Sequence, residues 1–251
     1  MKKLAHSRFF TTIITLALTG ITLSSSVVIP AAIAESSNNN SSTNQQEAKK
    51  STSILEALLS LLKSPENRLI TRGDELCPMS PGNIGEQVVW NNRPLFIWAG
   101  KTSKSKISLY SPTVNFNYEQ DDKLLWQKTL ESNTETVVYD GEKLEPGLTY
   151  DWHLKDANKD YRLTFVLMEQ DQRNAIAQDL IALENELKNT NVSVEDIAIA
   201  KADYFANKKL WSDALQELYA VENPSPMLVN KTKAISSYLC QDNNSNNISR
   251  Q

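Results

Sequence analysis

The chain has 251 residues, and the first 34 read as an export leader, which leaves 217 in the mature protein; that is room for one large domain or two small ones and excludes a tiny disulfide scaffold. Loss of Lys2, Lys3 and Arg8 with the leader takes the net charge from −4 to −7, which argues against a nucleic-acid binder or a polybasic membrane-surface protein. With His153 the one histidine of the mature chain and two cysteines in all, His-rich metal sites and most histidine-dependent catalytic constellations are excluded by count.

The leader has a basic start at Met1-Lys2-Lys3 and Arg8, a mostly apolar run from Phe9 to Leu23, and small residues at Ala32-Ile33-Ala34, so cleavage is expected before Glu35. The alternative is an uncleaved anchor, but threonines and serines interrupt the run short of the ~20 apolar residues that a bilayer span needs. No cysteine follows the small residues, which excludes lipid attachment by that route, and Lys2-Lys3 is not a twin-arginine signal. Residues 35–50 are mostly Asn, Ser, Thr and Gln, with Ala48 the one apolar residue, and are expected to be a disordered linker; residues 241–251 share that composition and read as a frayed tail.

Within residues 51–64, Ser53 and Glu56 have capping-box spacing, Ile54, Leu55, Leu58, Leu59, Leu61 and Leu62 supply an apolar face, and Pro65 follows. The predicted helix is too short to persist alone in water, so its leucines must dock on something. From 69 to 168 the period is two. Short β-rich runs at Leu95–Trp98, Ile107–Tyr110, Val114–Tyr118, Leu124–Leu130, Val137–Tyr139, Leu148–Leu154 and Tyr161–Met168 are separated by turn signals such as Asp140-Gly141 and Pro146-Gly147. About seven strands at this spacing predict an antiparallel β-sandwich.

One cluster in that region is more specific. Leu144, Pro146-Gly147-Leu148, Tyr150, Trp152 and Leu154, together with Trp98 on an early strand, resemble the fibronectin type III (immunoglobulin-like) fold. The resemblance implies that the Tyr150 hydroxyl bonds back to the chain before it and that Trp98 is buried. Leu148 stands where that family usually has threonine. Strand alternation then puts Leu148, Tyr150, Trp152 and Leu154 toward the core and Thr149, Asp151, His153 and Lys155 toward water. His153 is on this reading a surface residue, because no nucleophile accompanies it. Asp156, Asn158 and Asp160 start like a calcium loop, but Tyr161 and Leu167 occupy positions that need glycine and glutamate, so a hairpin turn is expected. Arg72-Gly73-Asp74 is read as a chance adhesion tripeptide.

From 169 to 240 the period lengthens to 3.6, predicting an all-α subdomain of four helices and so an α+β chain overall. Ile176, Leu180, Leu183 and Leu187, with Ala177 and Ile181 widening the stripe, mark an amphipathic helix over Asp171–Lys188; Ser193 caps the next. Ala202, Phe205, Ala214, Leu218, Val221 and Pro226 fall at offsets that resemble a single tetratricopeptide repeat, although the turn has Asn207-Lys208-Lys209 in place of glycine and no second full copy follows. A single repeat cannot bury its own faces, so Asp171–Lys188 and Met227–Leu239 are expected to flank it. Tyr204, with Lys201 and Asn207 within a turn of it, is the candidate for contacting a partner protein; the alternative is a helical hairpin that packs on the sandwich and recognises nothing.

Arg72-Gly73, Leu76-Cys77-Pro78, Arg93–Trp98, Leu125-Trp126, the Tyr150 cluster and Leu210–Leu215 together resemble uncharacterised exported proteins of cyanobacteria, of the group named domain of unknown function 928. That resemblance implies location and fold and brings no catalytic residues with it.

No nucleophile elbow and no Gly-rich phosphate loop occurs, so no catalytic, cofactor or metal residues are assigned. The expected function is a non-enzymatic interaction or assembly protein, periplasmic or secreted, with an extracytoplasmic protein partner, no nucleic acid and no membrane span after cleavage. The runner-up is a surface-polysaccharide-binding protein or a hydrolase using two carboxylates, with Trp90 and Trp126 as the available sugar-stacking platforms. Cys77 and Cys240, in an oxidising compartment, are expected to pair with each other; the alternative is two buried free thiols.

Overall fold

The strand beginning at Leu95 has four large apolar residues in succession, a run that has no solvent side to offer. The computed structural model, which describes residues 53–60, 62–63, 76–102, 105–111, 123–157, 159–189 and 192–240, accounts for that run by burying the strand on both faces. The expected leader, linker and tail, the Arg72–Asp74 tripeptide and the Val114–Tyr118 run lie outside the described residues.

Eight strands and five helices are described. A helix covering residues 53–60 and 62 is α1. The strands are β1 (Leu76–Ser80), β2 (Val88–Val89), β3 (Leu95–Gly100), β4 (Lys106–Ser111), β5 (Lys123–Thr129), β6 (Thr136–Val138), β7 (Thr149–Lys155) and β8 (Asp160–Leu167). The remaining helices are α2 (Gln170–Lys188), α3 (Val194–Asn207), α4 (Trp211–Tyr219) and α5 (Pro226–Leu239). The strands form a three-stranded sheet in the order β1-β3-β6 and a five-stranded sheet in the order β2-β8-β7-β4-β5. Every pairing is antiparallel except β2 with β8.

Three layers follow from where alternate side chains go. Leu76, Phe96 and Trp98 join Ile107, Leu109, Trp152, Leu154 and Phe165 in a core between the two sheets. Cys77, Met79, Leu95 and Ile97 point the other way and share a second core with the helices, among them Ile199, Phe205, Trp211, Leu215 and Leu228. The small sheet is therefore the middle layer, with the large sheet on one side and the helices on the other. The boundary expected at residue 168 separates types of secondary structure but not cores, because strand residues and helix residues share the second one. In that core α1 buries Leu55, Leu58, Leu59 and Leu62. Its Glu56, expected in a capping box, pairs instead with Lys231 of α5.

Polar contacts fix the layers in register. The Trp152 indole on β7 donates to the Pro81 carbonyl just after β1, at 2.9 Å, and so joins the two sheets. Gly82, at φ +90°, lies so close to β8 that a Cβ there would stand 2.2 Å from the Thr164 carbonyl oxygen. Ahead of β7 the Tyr150 hydroxyl accepts from the Glu145 N–H at 2.8 Å and donates to the Glu145 carbonyl at 3.2 Å, the bond back to the preceding chain that the sequence implies. Cys77 and Cys240 are joined by a disulfide, with Cα atoms 6.0 Å apart, which ties β1 to the end of α5.

Some expected orientations differ. Leu148 is 42% exposed, because it belongs to the turn before β7 and the alternation starts only at Thr149. Ile181 is 61% exposed and does not widen the buried stripe of α2, which consists of Ile176 and Leu180. His153 is half-buried rather than open to water: its ring lies 4.6 Å from that of Tyr110 and its Nδ1 is 3.8 Å from a carboxylate oxygen of Asp160. In the β7–β8 hairpin, Asp156 accepts from the Ala157 N–H, as expected for a turn built on an Asx side chain.

Candidate functional site

The helices are held to the connection between β2 and β3, which joins the two sheets, by a carboxylate that sequence reasoning passed over. Asp213 in the first turn of α4 is 2% exposed, and its two oxygens accept the backbone N–H groups of Trp90 at 2.8 Å and Asn91 at 2.9 Å. One turn on, Gln216 accepts from the Leu95 N–H at 3.0 Å and donates to the Arg93 carbonyl at 3.3 Å. From α2, Arg173 donates to the Trp90 carbonyl at 2.8 Å while its own carbonyl accepts from the Trp90 indole at 3.0 Å. Three side chains on two helices thus satisfy the backbone between β2 and β3. Burial pushes the Asp213 carboxyl up to about 7, against the opposing effect of the two N–H groups; Glu217 adds to the rise and Arg173 resists it. The only sequence signal was an acidic residue in a first helical turn, which ordinarily reads as a solvated dipole contact.

The α3–α4 pair packs through the small and large residues expected of it. Ala202 and Ala214 are wholly buried and let the helices approach, Phe205 and Leu218 fill the seam, and Trp211 packs at the start of α4. Val221, expected in the seam as well, is only half-buried and lines a groove between the helices. In the turn between them Lys209 takes φ +61°, the left-handed conformation at which glycine is strain-free. At the other end, Ser193 and Asp196 form a full capping box on α3, and Ser225 caps α5 while its N–H and hydroxyl both donate to Glu195 at 2.6 Å. These caps hold the first turn of α3 against the start of α5.

Between those ends lies an open groove of about 1340 Å³, walled by the C-terminal half of α2, the N-terminal half of α3, the end of α4 and the start of α5. Its apolar lining includes Val194, Ile197, Ala198, Val221 and Met227, of which Val194 is 80% exposed. Lys201 lies in the groove wall between two carboxylates, 3.0 Å from Glu217 and 3.6 Å from Glu184, which also binds Lys188 at 3.2 Å. Burial raises the Glu217 carboxyl and Lys201 opposes the rise.

Of the three residues expected to contact a partner, the structure puts Lys201 in this groove and the other two outside it. Tyr204 does not face an open surface: its hydroxyl donates to Asp179 of α2 at 2.5 Å, its ring packs edge-on against Phe205, and Lys208 lies 4.9 Å over it. Burial and the Asp179 carboxylate push its phenol above the usual tyrosine range. The reason is that α2 packs against α3 and brings Asp179 within reach of the polar tip. Asn207 caps its own helix by donating to the Asp203 carbonyl at 2.9 Å. Neither expected tryptophan platform is open. Trp90 lies 5.5 Å from the Phe205 ring, and half-buried Trp126 lies between Phe96 and Tyr139 with its indole bound to Asp140 at 2.5 Å.

Among the described residues no group of three or more His, Cys, Asp or Glu side chains could hold a metal ion, and no helix is long and apolar enough to cross a membrane. No family model matches this chain, and no curated protein or solved structure matches it either.

Proposed function

We propose that the chain is an exported, non-enzymatic interaction or assembly protein of a bacterial cell envelope, and that it binds a segment of a partner protein in the groove between α2, α3, α4 and the start of α5. The observation that carries this reading is the groove itself, an open cleft with an apolar strip in its lining, two of whose four helices, α3 and α5, are capped at the groove. The finer fold belongs to the same proposal. A three-plus-five strand order and the Tyr150 bond to Glu145 support a fibronectin type III-like sandwich, and the Ala202/Ala214 approach supports a tetratricopeptide-like hairpin. Placement in the envelope rests on the leader-like first 34 residues and on the resemblance to exported cyanobacterial proteins.

The disulfide is consistent with an oxidising compartment. The middle sheet acts as the rigid base on which the helices are mounted, through Asp213, Gln216 and Arg173. The test is partner recovery from native envelope with the wild-type chain and with a Val194→Asn, Val221→Asn double variant shown by circular dichroism to be folded. The proposal expects a discrete partner with the wild type and its loss with the variant. Equal recovery by both would place recognition elsewhere.

A further inference from the structure

The groove lining is charged unevenly. Five carboxylates (Glu184, Glu195, Asp196, Glu217 and Glu222) stand against two lysines, Lys188 and Lys201. Two of the five are committed within the chain, Glu195 to the N–H and hydroxyl of Ser225 and Asp196 to the cap of α3. The remaining three share the lysines unequally. Glu184 has both within 3.6 Å, Glu217 has only a share of Lys201 at 3.0 Å, and Glu222, exposed in the connection between α4 and α5, has no ion pair among the described residues. Glu217 is also partly dehydrated, its side chain 17% exposed, so it lacks the full hydration that would otherwise compensate an incompletely matched charge.

Beside these carboxylates is an aliphatic surface formed by Val194, Val221 and Met227. A charge excess of one sign next to an apolar strip is matched by a chain that alternates the opposite charge with aliphatic side chains. We infer that the groove takes a cationic segment of the partner, in which lysine or arginine alternates with large aliphatic residues, the cations meeting Glu217 and Glu222 and the aliphatics covering Val194 and Val221. This rests on the reading of the groove as the recognition surface and adds the chemistry of what it recognises. The stretch of α3 from Ser193 to Lys201 rises about 12 Å, which corresponds to roughly four residues of an extended strand. The recognised core is therefore short. A bare metal ion is a poor fit, because no set of three ligating side chains converges there among the described residues. An acidic segment would meet repulsion from Glu217 and Glu222 at a partly dehydrated site, where charges interact more strongly than in bulk water.

The test uses the full mature chain with three fluorescein-labelled eight-residue peptides: alternating Leu and Lys, the same peptide with Gln for Lys, and the same with Glu for Lys. Binding is read by anisotropy at low salt and at roughly 0.3 M salt, where screening confines charge effects to a few ångströms. The lysine peptide is expected to bind at least about tenfold more tightly than the glutamine peptide at low salt, the glutamate peptide most weakly, and the lysine advantage to shrink at the higher salt. Glu222→Lys, at an exposed position that leaves the fold alone, and Glu217→Gln should each cut the advantage to roughly threefold or less. Equal binding of the lysine and glutamine peptides, abolished in both cases by the uncharged Val194→Asn, would overturn the cationic preference and leave the groove as the recognition surface. Binding unaffected by Val194→Asn, or no binding of any peptide, would overturn both.

Discussion

The Asp213 clamp makes the most exacting prediction, because one side chain spans two layers. Asp213→Ala removes the buried acceptors of two N–H groups, those of half-buried Trp90 and Asn91. Above about pH 7, where the carboxyl is ionised, a hydrogen bond to a charged group contributes about 1.5–3 kcal/mol, so the loss of both should cost about 3–6 kcal/mol. Asp213→Asn keeps one carbonyl oxygen and should cost about half as much. The pH dependence follows from the same burial. Folding raises the carboxyl from its ordinary value near 4 to about 7, so the folded chain holds this proton more tightly than the unfolded one. Its contribution to stability is full below the unfolded pKa and is lost as pH rises through about 7. Glu217, also raised by burial, acts in the same direction. Urea denaturation followed by tryptophan fluorescence and far-ultraviolet circular dichroism, from about pH 4.5 to pH 8, measures both effects. The wild type should lose stability across that range by an amount of order 1 kcal/mol or more, and Asp213→Asn should flatten the slope. An asparagine variant as stable as the wild type, with the same pH slope, would refute the clamp.

Reduction of the Cys77–Cys240 bridge, whose partners are 163 positions apart, should lower stability by about 3–5 kcal/mol on a loop-entropy basis, read as a drop in the urea midpoint with and without reductant. Lys209→Gly should raise stability by about 0.5 kcal/mol in the same assay, since φ +61° strains lysine and not glycine. Gly85→Ala should destabilise by about 2 kcal/mol or more, because the added Cβ would stand 2.3 Å from the Trp211 ring, and thermal unfolding will show it. Phe205→Ala should cost about 3–5 kcal/mol by opening a cavity, whereas Tyr204→Phe, which removes only the bond to Asp179, should cost about 1 kcal/mol or less.

What could be read from the residues follows the range of each signal. The period of Ile176 and Leu180, the Ser193 cap, the alternation Tyr150-x-Trp152-x-Leu154 and the turn at Asp156 are local, and the structure has them where the sequence put them. Burial of β3 on both faces was written in Leu95–Trp98, an unbroken apolar run, but which layers cover it depends on chain remote in sequence. β1 and β2 went unpredicted for a related reason: Leu76–Ser80 has no alternation to detect, and Val88–Val89 is too short to show any.

The groove was legible only in part. Lys201 was singled out for its neighbourhood with Tyr204, yet what places it in the groove is Glu184 on α2 and Glu217 on α4. Tyr204 directly precedes core-facing Phe205, and nothing nearby in sequence announces that Asp179, 25 positions earlier, takes its hydroxyl. Asp213 hides in the same way, since its partners lie more than 120 positions away.

The measurement closest to the central claim is photo-crosslinking in intact envelope, with a photoreactive residue placed at exposed Val194 in the groove or, as a control, at exposed Arg162 on the large sheet. The account predicts a discrete crosslinked partner from position 194 and none from position 162. A partner captured from position 162 and not from 194 would contradict it.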